Sequence, residues 1–338
     1  MPRSEVTIDL GALRRNVVRL LDVLAASELW AVVKADAYGH GTADVAPAAL
    51  DAGASAVCVA TVPEGQAVRH VLPGARIVVL GPADDVRAAR EARLELCVGR
   101  EPIPQGVPVH VKLDTGMGRY GFDRLPPLTP NVVGLMTHLA TADGDPAFAE
   151  RQLQVFRGQV AGSDPGVLLH AANSAAALRL PAARLGAARC GIALYGLSPF
   201  GTDPADDGLE PVLSWRSELA RVKRLEPRES TGYGRRFVAD RPTWIGLVPV
   251  GYGDGFRRDL TGTEVLVAGE RRRVVGTVSM DSFAVELDRE LPVGTPVTLV
   301  GDGLLLEEHA RAAGTIDYEL ACGIVSRPER AVRRVVGG

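Results

Sequence analysis

Lysine is scarce in this 338-residue chain, in which three lysines, Lys34, Lys112 and Lys223, stand against thirty-five arginines. Either residue can serve as a surface cation, but arginine cannot lose its proton and become a nucleophilic amine. A lysine that is desolvated or placed near other cations can do so, and Schiff-base lysines arise in this way. Composition alone leaves two interpretations open: a coding bias toward arginine, or special chemistry at Lys34 and Lys112.

Other scarcities exclude whole classes of protein. Aromatic residues make up 5% of the chain and hydrophobic residues 46%, which is typical of a globular protein with an aliphatic core. The net charge of -3 provides no basic footprint for nucleic acid or an anionic membrane. Four cysteines without a Cys-x-x-Cys pair indicate a reducing compartment. Because no signal peptide or membrane-length apolar run is present, we expect a cytoplasmic protein with no nucleic-acid or membrane partner.

The first two hundred residues alternate short apolar runs with alanine-rich stretches of helical periodicity. The candidate strands are too apolar to face water on one side, and they cover 29–33, 56–60, 77–80, 94–98, 109–113, 132–136 and 167–170. Candidate helices between them cover 10–26, 43–53, 62–71 and 148–160. This pattern is typical of parallel sheets built from βαβ units. Roughly eight such units predict an α/β fold with a (β/α)8 barrel, for which a doubly wound sheet is the competitor.

The pattern changes after Tyr195. Gly, Pro and Asp punctuate 196–211, and strands separated by turn signals follow with little helical periodicity. Candidate strands cover 213–225, 243–250, 264–268, 273–277, 282–287 and 296–300, and a short helix is expected around 306–313. We therefore predict a barrel domain over 1–212 and a mainly β domain over 213–338, with residues 1–9 as candidates to join the β domain.

Polar groups follow several predicted barrel strands directly. Lys34 follows the strand at 29–33, and Lys112, His138 and His170 stand at the ends of three others. Active sites of such barrels are built at the C-terminal strand ends. We therefore expect these four side chains to converge on one face of the barrel.

A second cluster suggests an anion site. A Gly-Ile pair at 191–192 after a strand can present backbone N–H groups to a phosphate. Asn173 and Ser174 can add polar groups, although a helix cap before the alanine run explains this pair equally well. A phosphate cradle beside a Schiff-base lysine points to pyridoxal 5'-phosphate as the cofactor.

Taken in order along the chain, these motifs resemble those of alanine racemases, pyridoxal-phosphate enzymes with a barrel followed by a β domain. The resemblance covers nearly the whole length, and the matching stretches are 33–41, 112–121, 137–143, 170–175, 189–196, 249–255, 278–281 and 315–319. Three departures stand out. Asp36 occurs where the family often has Asn, Gly253 where Ala is usual, and Asp317 where Pro is usual. The chain is also somewhat short for the family.

The resemblance implies a role for each site residue. Lys34 would hold the cofactor as an internal aldimine and act as base on one face of the substrate Cα, and Tyr252 of the partner subunit would act on the opposite face. An ordinary tyrosine pKa of about 10 makes a poor base, so His138 or His170 would assist. Arg189 would contact the pyridine nitrogen, and Asp281 would support the site. The substrate would be contacted by Arg119 and Met280. The residues implied to bind the phosphate are Tyr38, Asn173, Ser174, Gly191, Ile192 and Tyr318.

Lys112 would be carbamylated and would position Arg119. The resemblance further implies interconversion of L-alanine and D-alanine for peptidoglycan by a homodimer with shared sites and no metal. Two alternatives stay open at this point: a racemase of another or several amino acids, and a non-enzymatic pyridoxal-phosphate carrier, against which the β domain and Tyr252 argue.

Overall fold

The computed structural model describes residues 3–83 and 85–338. These form two compact units, one spanning Ala12–Glu210 and the other joining the N-terminal segment through Gly11 to Pro211–Gly338. In chain order the elements are β1 (Glu5–Asp9), α1 (Leu10–Leu24), β2 (Glu28–Val32), α2 (Lys34–Tyr38), α3 (Thr42–Asp51), β3 (Ala56–Val59), α4 (Val62–Val71), β4 (Ile77–Val79), α5 (Val86–Glu91), β5 (Glu95–Val98), β6 (Val109–Lys112), β7 (Val132–Met136), α6 (Pro146–Val160), β8 (Leu168–His170), α7 (Ser174–Arg179), β9 (Ala187–Cys190), β10 (Leu213–Glu218), β11 (Arg221–Leu225), β12 (Ser230–Thr231), β13 (Phe237–Val238), β14 (Thr243–Val248), β15 (Glu264–Val267), β16 (Glu270–Val275), β17 (Phe283–Leu287), β18 (Pro296–Val300), α8 (Leu306–Ala312), α9 (Asp317–Gly323) and β19 (Val332–Val336).

The first unit is a closed barrel of eight parallel strands, β2 to β9 in chain order. The last strand pairs with the first, so that Trp30 of β2 stands opposite Arg189 of β9. Most strand side chains are buried, because the packed interior of the barrel covers one face of the strands and the surrounding helices cover the other. The closed barrel confirms the (β/α)8 fold and rules out the doubly wound sheet.

Helix α1 illustrates how sequence periodicity produces this packing. Leu13, Val17, Leu20 and Leu24 recur at spacings of four, three and four, and all four side chains are buried. This spacing places them along one stripe of the helix. Burying each such side chain stabilises the fold by roughly 1.5–3 kcal/mol. Within the described ranges, no helix combines the length and apolar character needed to cross a bilayer.

The second unit contains a nine-stranded sheet in the order β11-β14-β17-β16-β15-β18-β10-β1-β19. Strand β1 runs antiparallel to β10 and parallel to β19, so the N-terminal strand lies within this sheet. Strands β12 and β13 form a separate pair, and helices α8 and α9 follow the main run of strands. The unit is therefore mainly β, as predicted.

Two details of the predicted β region are wrong. The single strand expected over 213–225 is two strands, because β10 pairs with β18 while β11 pairs with β14 at the far end of the sheet. The pattern of polar and apolar residues in this segment does not reveal a change of pairing partner. The strand expected at 273–277 begins earlier, at Glu270, because its charged N-terminal half pairs with β15. Helices α5 and α9 were not predicted, although the side chain of Asp85 caps α5 by accepting a hydrogen bond from the Ala88 N–H at 2.8 Å.

Candidate active site

Lys34 lies just beyond the C-terminal end of β2 and opens a single helical turn. The four residues that follow share left-handed backbone angles, with φ of 52°, 51°, 54° and 54° at Ala35, Asp36, Ala37 and Tyr38. Such a conformation costs a non-glycine residue roughly 1–2 kcal/mol. Only the glycines were expected to turn the chain, and Gly39 and Gly41 do have positive φ. Nothing in the sequence indicates that the four non-glycine residues before Gly39 adopt this strained conformation.

Two carboxylates hold this strained turn in place. Asp36 Oδ1 accepts a hydrogen bond from the Thr42 N–H at 2.8 Å, which ties the turn to the start of α3. Glu64 Oε1 accepts from the Ala35 N–H at 2.9 Å, and its other oxygen accepts from the Ala60 N–H at 2.7 Å. The backbone beside Lys34 is therefore anchored to both neighbouring helices. Glu64 was missed because a glutamate at this place also reads as an ordinary helix capping box.

Hydroxyl and amide groups gather around Gly191. A Cβ atom at this residue would lie 2.5 Å from the Tyr38 hydroxyl oxygen, so only glycine fits. Ser174 Oγ accepts hydrogen bonds from the Gly191 N–H at 3.0 Å and the Ala193 N–H at 3.4 Å. Asn173 instead caps α7 by accepting from the Ala176 N–H at 3.0 Å. Tyr38, Ser174 and Gly191 thus form a polar cup of the kind that binds anions.

Lys112 is the last residue of β6 and is buried. Burial and the nearby Arg119 guanidinium lower its pKa to about 8. The segment that leads to Arg119 is organised by Asp114, whose carboxylate accepts hydrogen bonds from four backbone N–H groups at 2.9 to 3.1 Å, those of Gly116, Met117, Gly118 and Arg119. Lys112 therefore holds an amine that titrates near neutral pH beside an ordered arginine loop.

Arg189, on β9, is buried among acceptors at the ends of β7 and β8. Its Nη1 lies 2.7 Å from His170 Nδ1, and its Nη2 donates to the carbonyls of Thr137 and Ala171 at 2.8 and 3.1 Å. The same Nη2 lies 3.5 Å from His138 Nδ1. The guanidinium is thus fixed by several acceptors at once.

The electrostatics show that the predicted strand-end groups come together. The pKa of His138 falls to about 3, first because the ring is buried and then because four cations surround it, namely Arg189, Lys112, Arg119 and Lys34. His138 is therefore neutral at pH 7. His170 is also neutral, since burial and Arg189 lower its pKa well below the ordinary value. This arrangement agrees with the convergence expected for the strand-end groups Lys34, Lys112, His138 and His170. Lys112 and His170 are the last residues of their strands, and they do not follow the strands as Lys34 does.

In the second unit, Tyr252 and Met280 stand on two loops that are hydrogen-bonded together. The Tyr252 N–H donates to the Ser279 carbonyl at 3.0 Å and the Gly253 N–H to the Met280 carbonyl at 2.9 Å. Both side chains are exposed, Tyr252 by 43% and Met280 by 54%, which leaves them available to another surface. A Cβ at residue 253 would lie 2.3 Å from Arg330 Nη2, so an alanine here would require the guanidinium to shift.

An ion cluster holds these two loops. Asp254 is buried and pairs with Arg3 at 3.2 Å and Arg330 at 2.8 Å. Arg330 also pairs with Asp281 at 2.9 Å, so one guanidinium joins the Tyr252 turn to the Met280 loop. Removing one member of a buried pair leaves the other charge uncompensated. Asp281 thus acts on the geometry of both loops.

Tyr318 is half-buried in the first turn of α9, where its N–H donates to Asp317 Oδ1 at 3.0 Å. Asp317 itself is buried. Burial and the neighbouring Glu307 carboxylate raise the pKa of Asp317 to about 7. The residue beside Tyr318 is therefore an acid that keeps its proton in the folded state at mildly acidic pH.

This raised pKa predicts a pH-dependent stability. Below pH 4 Asp317 is protonated in both states, whereas between pH 4 and 7 only the folded state retains the proton. The contribution of Asp317 to the unfolding free energy therefore falls as the pH rises from 4 to 7. The pKa rise from 3.8 to about 7 sets an upper bound of about 4 kcal/mol. We expect Asp317→Asn to gain stability relative to the wild type across this window, measured by urea unfolding at several pH values. Glu307→Gln should lower the pKa of Asp317 and so narrow the pH range over which stability falls. Parallel profiles of unfolding free energy against pH for the wild type and Asp317→Asn would contradict a raised pKa at Asp317.

The fold and the barrel site define a (β/α)8-barrel protein with a lysine at a strand end and a second, mainly β unit. Two family models match the chain, described as "Alanine racemase, N-terminal domain" over residues 8–199 and "Alanine racemase, C-terminal domain" over residues 212–332. "Alanine racemase 1" of Bacillus subtilis is 40% identical over 96% of this chain and 91% of its own length. The chain belongs to the alanine racemase family.

Solved structures agree with this assignment. The biosynthetic alanine racemase from Pseudomonas aeruginosa superposes with a TM-score of 0.91 at 36% identity, covering 99% of this chain and all of that one (100%). The alanine racemase from Bartonella henselae superposes with a TM-score of 0.89 at 26% identity, over 98% of this chain and 99% of that chain, and its structure is described with covalently bound pyridoxal phosphate.

Proposed function

We propose that this protein interconverts L-alanine and D-alanine with pyridoxal 5'-phosphate held at the C-terminal ends of the barrel strands, and that the D-alanine serves peptidoglycan synthesis. The observation that carries this proposal is Lys34, a strand-end lysine on a strained and doubly anchored turn, close enough to Arg189 for both to lower the pKa of His138. Family membership supplies the substrate and the reaction.

The donor set fits the cofactor. The hydroxyls of Tyr38 and Ser174, which meet beside Gly191, are proposed to bind the phosphate together with the Ile192 N–H and the Tyr318 hydroxyl. Lys34 provides the amine that binds an aldehyde. When bound, the cofactor supplies an electron sink that acidifies the substrate Cα–H.

Arg189 is proposed to face the pyridine nitrogen. A guanidinium has only donors, so the ring nitrogen that it contacts stays unprotonated. This weakens the electron sink and favours rapid return of the proton over side reactions. The acceptors around Arg189 keep the guanidinium in one orientation for this task.

Racemisation needs a proton to leave one face of Cα and return to the other. We propose Lys34 for one face and Tyr252 of the partner subunit for the other, with Met280 and Arg119 contacting the substrate. Both ring nitrogens of His170 are engaged inside the barrel, by Arg189 and His110. The histidine that assists Tyr252 is therefore His138, which is neutral and partly exposed. This division of roles makes the active form a homodimer.

The proposed function is tested by incubating the purified protein with pyridoxal phosphate and L-alanine in heavy water. We expect D-alanine that carries deuterium at Cα, because the returned proton comes from solvent. Cofactor binding without either signal would reject alanine as the substrate and would direct the test to other amino acids or to a carrier role.

Lys112 is proposed to carry a carbamate that positions Arg119. Only an unprotonated amine reacts with carbon dioxide, and a pKa of about 8 leaves part of the Lys112 population in that form at neutral pH. Removing bicarbonate should lower activity by roughly 10-fold, the effect of losing one charged hydrogen bond, and restoring it should recover the loss. ¹³C NMR with labelled bicarbonate should show a carbamate signal that Lys112→Gln abolishes.

Lys223 provides the matched control, since it is exposed and lies in the β unit. Lys223→Gln should keep both the carbamate signal and the activity. A Lys112→Gln variant with wild-type activity would show that the carbamate has no role.

A further inference from the structure

A row of hydrogen-bonded side chains crosses the barrel interior from Arg189 to Glu95. His170 Nδ1 lies 2.7 Å from Arg189 Nη1, and His170 Nε2 lies 3.0 Å from His110 Nδ1. His110 Nε2 lies 2.8 Å from Glu95 Oε2. His170 ends β8, whereas Glu95 begins β5, so the row runs from the C-terminal to the N-terminal ends of the strands. Both histidines are fully buried, and the Glu95 side chain retains 18% exposure at its end of the barrel.

The two ends of this row fix the direction of every hydrogen bond. Arginine can only donate, so His170 Nδ1 accepts and its proton lies on Nε2. That N–H donates to His110 Nδ1, which places the second proton on His110 Nε2, where the carboxylate of Glu95 accepts it. Both histidines are neutral, since burial lowers the pKa of each. The row therefore has one consistent pair of tautomers, with both protons on Nε2.

Packing holds the two imidazoles in this row. Trp30 contacts both rings, with centroids 4.6 Å from His170 and 5.5 Å from His110. A Cβ at Gly134 would lie 2.0 Å from His110 Nδ1, so the ring fills space that only glycine leaves. The rings therefore cannot rotate freely, and a change of hydrogen-bond direction must occur through the tautomers.

We propose that Glu95 is a positioning residue for Arg189: from the opposite end of the barrel, its carboxylate selects the histidine tautomers that let His170 accept from the guanidinium. The link to catalysis rests on the proposed function, in which Arg189 faces the pyridine nitrogen. The hydrogen-bond row itself is independent of that function.

The change Glu95→Leu tests this because it removes the acceptor at the end of the row. Arg76 Nε lies 2.9 and 3.0 Å from the two carboxylate oxygens of Glu95, and the second of these oxygens also faces His110, so the amide of Glu95→Gln can keep its oxygen toward both groups. Leucine offers no acceptor, and a buried N–H group without an acceptor costs free energy. We therefore expect His110 in Glu95→Leu to carry its proton on Nδ1, from which it donates to His170 Nε2. His170 then carries its own proton on Nδ1, and the guanidinium of Arg189 loses this acceptor.

The experiment measures the ring ¹⁵N signals of histidine-labelled protein by NMR, both free of cofactor and loaded with pyridoxal phosphate. Signals are assigned by His110→Asn and His170→Asn. In the wild type and in Glu95→Gln we expect the Nε2–H tautomer at both residues, and in Glu95→Leu the Nδ1–H tautomer. In loaded Glu95→Leu, kcat should fall about 10-fold, which corresponds to about 1.4 kcal/mol in the barrier, with KM for alanine unchanged.

Glu28→Gln is the matched control. Glu28 accepts from Trp30 Nε1 at 2.7 Å and pairs with Arg76 at 3.4 Å, so it belongs to the same ion cluster, but neither of these partners is a histidine. This variant should keep the wild-type tautomers and kcat.

Nε2–H tautomers in Glu95→Leu would overturn the proposal, and so would a tautomer switch without any change in kcat. The proposed function is judged separately, because the cofactor-free spectra report the hydrogen-bond row whether or not the wild-type protein racemises alanine.

Discussion

Replacing Lys34 with arginine is expected to reduce racemisation by roughly ten-thousand-fold, the upper end of what a positioned proton-transfer group contributes. The variant keeps the positive charge at the end of β2 but removes the only chemistry that arginine lacks, an amine that can lose its proton. Steady-state conversion of L-alanine to D-alanine measures this loss, and the absorbance spectrum of the variant reports whether the cofactor is still attached covalently.

Lys34→Ala serves as a second variant, and it should be as inactive as Lys34→Arg. If charge alone were the requirement, the arginine variant would retain substantial activity while the alanine variant would not. Circular dichroism on both variants checks that the strained turn, which Asp36 and Glu64 anchor through backbone groups, is preserved. Strong activity in Lys34→Arg would reject Lys34 as a base.

Tyr252→Phe is expected to lower racemisation by roughly 100- to 1,000-fold, because the general acid–base group on one face of Cα is lost. The other face keeps Lys34. We therefore expect one enantiomer of alanine to exchange its Cα proton with solvent deuterium without inversion, since Lys34 removes the proton and returns it to the same side. Proton NMR in heavy water separates this exchange from racemisation. Equal loss of exchange and racemisation for both enantiomers would argue against two bases.

Lys34→Ala and Tyr252→Phe together test whether each active site takes residues from both subunits. If Tyr252 acts in the partner subunit's barrel, a heterodimer of Lys34→Ala and Tyr252→Phe chains has one site with both changes and one with neither. Mixing the two impaired proteins under conditions that exchange subunits should then raise activity well above that of either variant alone. If each chain supplied both groups to its own site, every site in the heterodimer would carry one change and no activity would return.

Strand positions were predictable because burial on both faces produces continuous apolar runs, as in β3, β5 and β7. Strand pairing was not predictable, since 213–225 reads as one strand of mixed polar and apolar residues although β10 and β11 have different partners. The candidate residues Lys34, Lys112 and His138 could be found because active groups in a barrel follow strand ends.

The supporting groups had no comparable signal. Glu64 reads as a helix cap, and Glu95 reads as a charged residue at the beginning of a strand. Their roles depend on which side chains the barrel places opposite them, Ala35 for one and His110 for the other. Such pairings join residues far apart in sequence, where no local spacing constrains them.

The sequence by itself determined the barrel, the β unit that follows it, the family and the position of the candidate lysine at a strand end. These depend on local features, namely apolar periodicity, turn residues and motifs in a fixed order. Only the tertiary structure decided that four non-glycine residues after Lys34 adopt a left-handed turn, that burial and Arg119 lower the pKa of Lys112, and that Arg189 is linked through two histidines to Glu95. Strain, desolvation and hydrogen-bond direction arise from what surrounds a residue in the folded chain, and that environment is not written in its neighbours along the sequence.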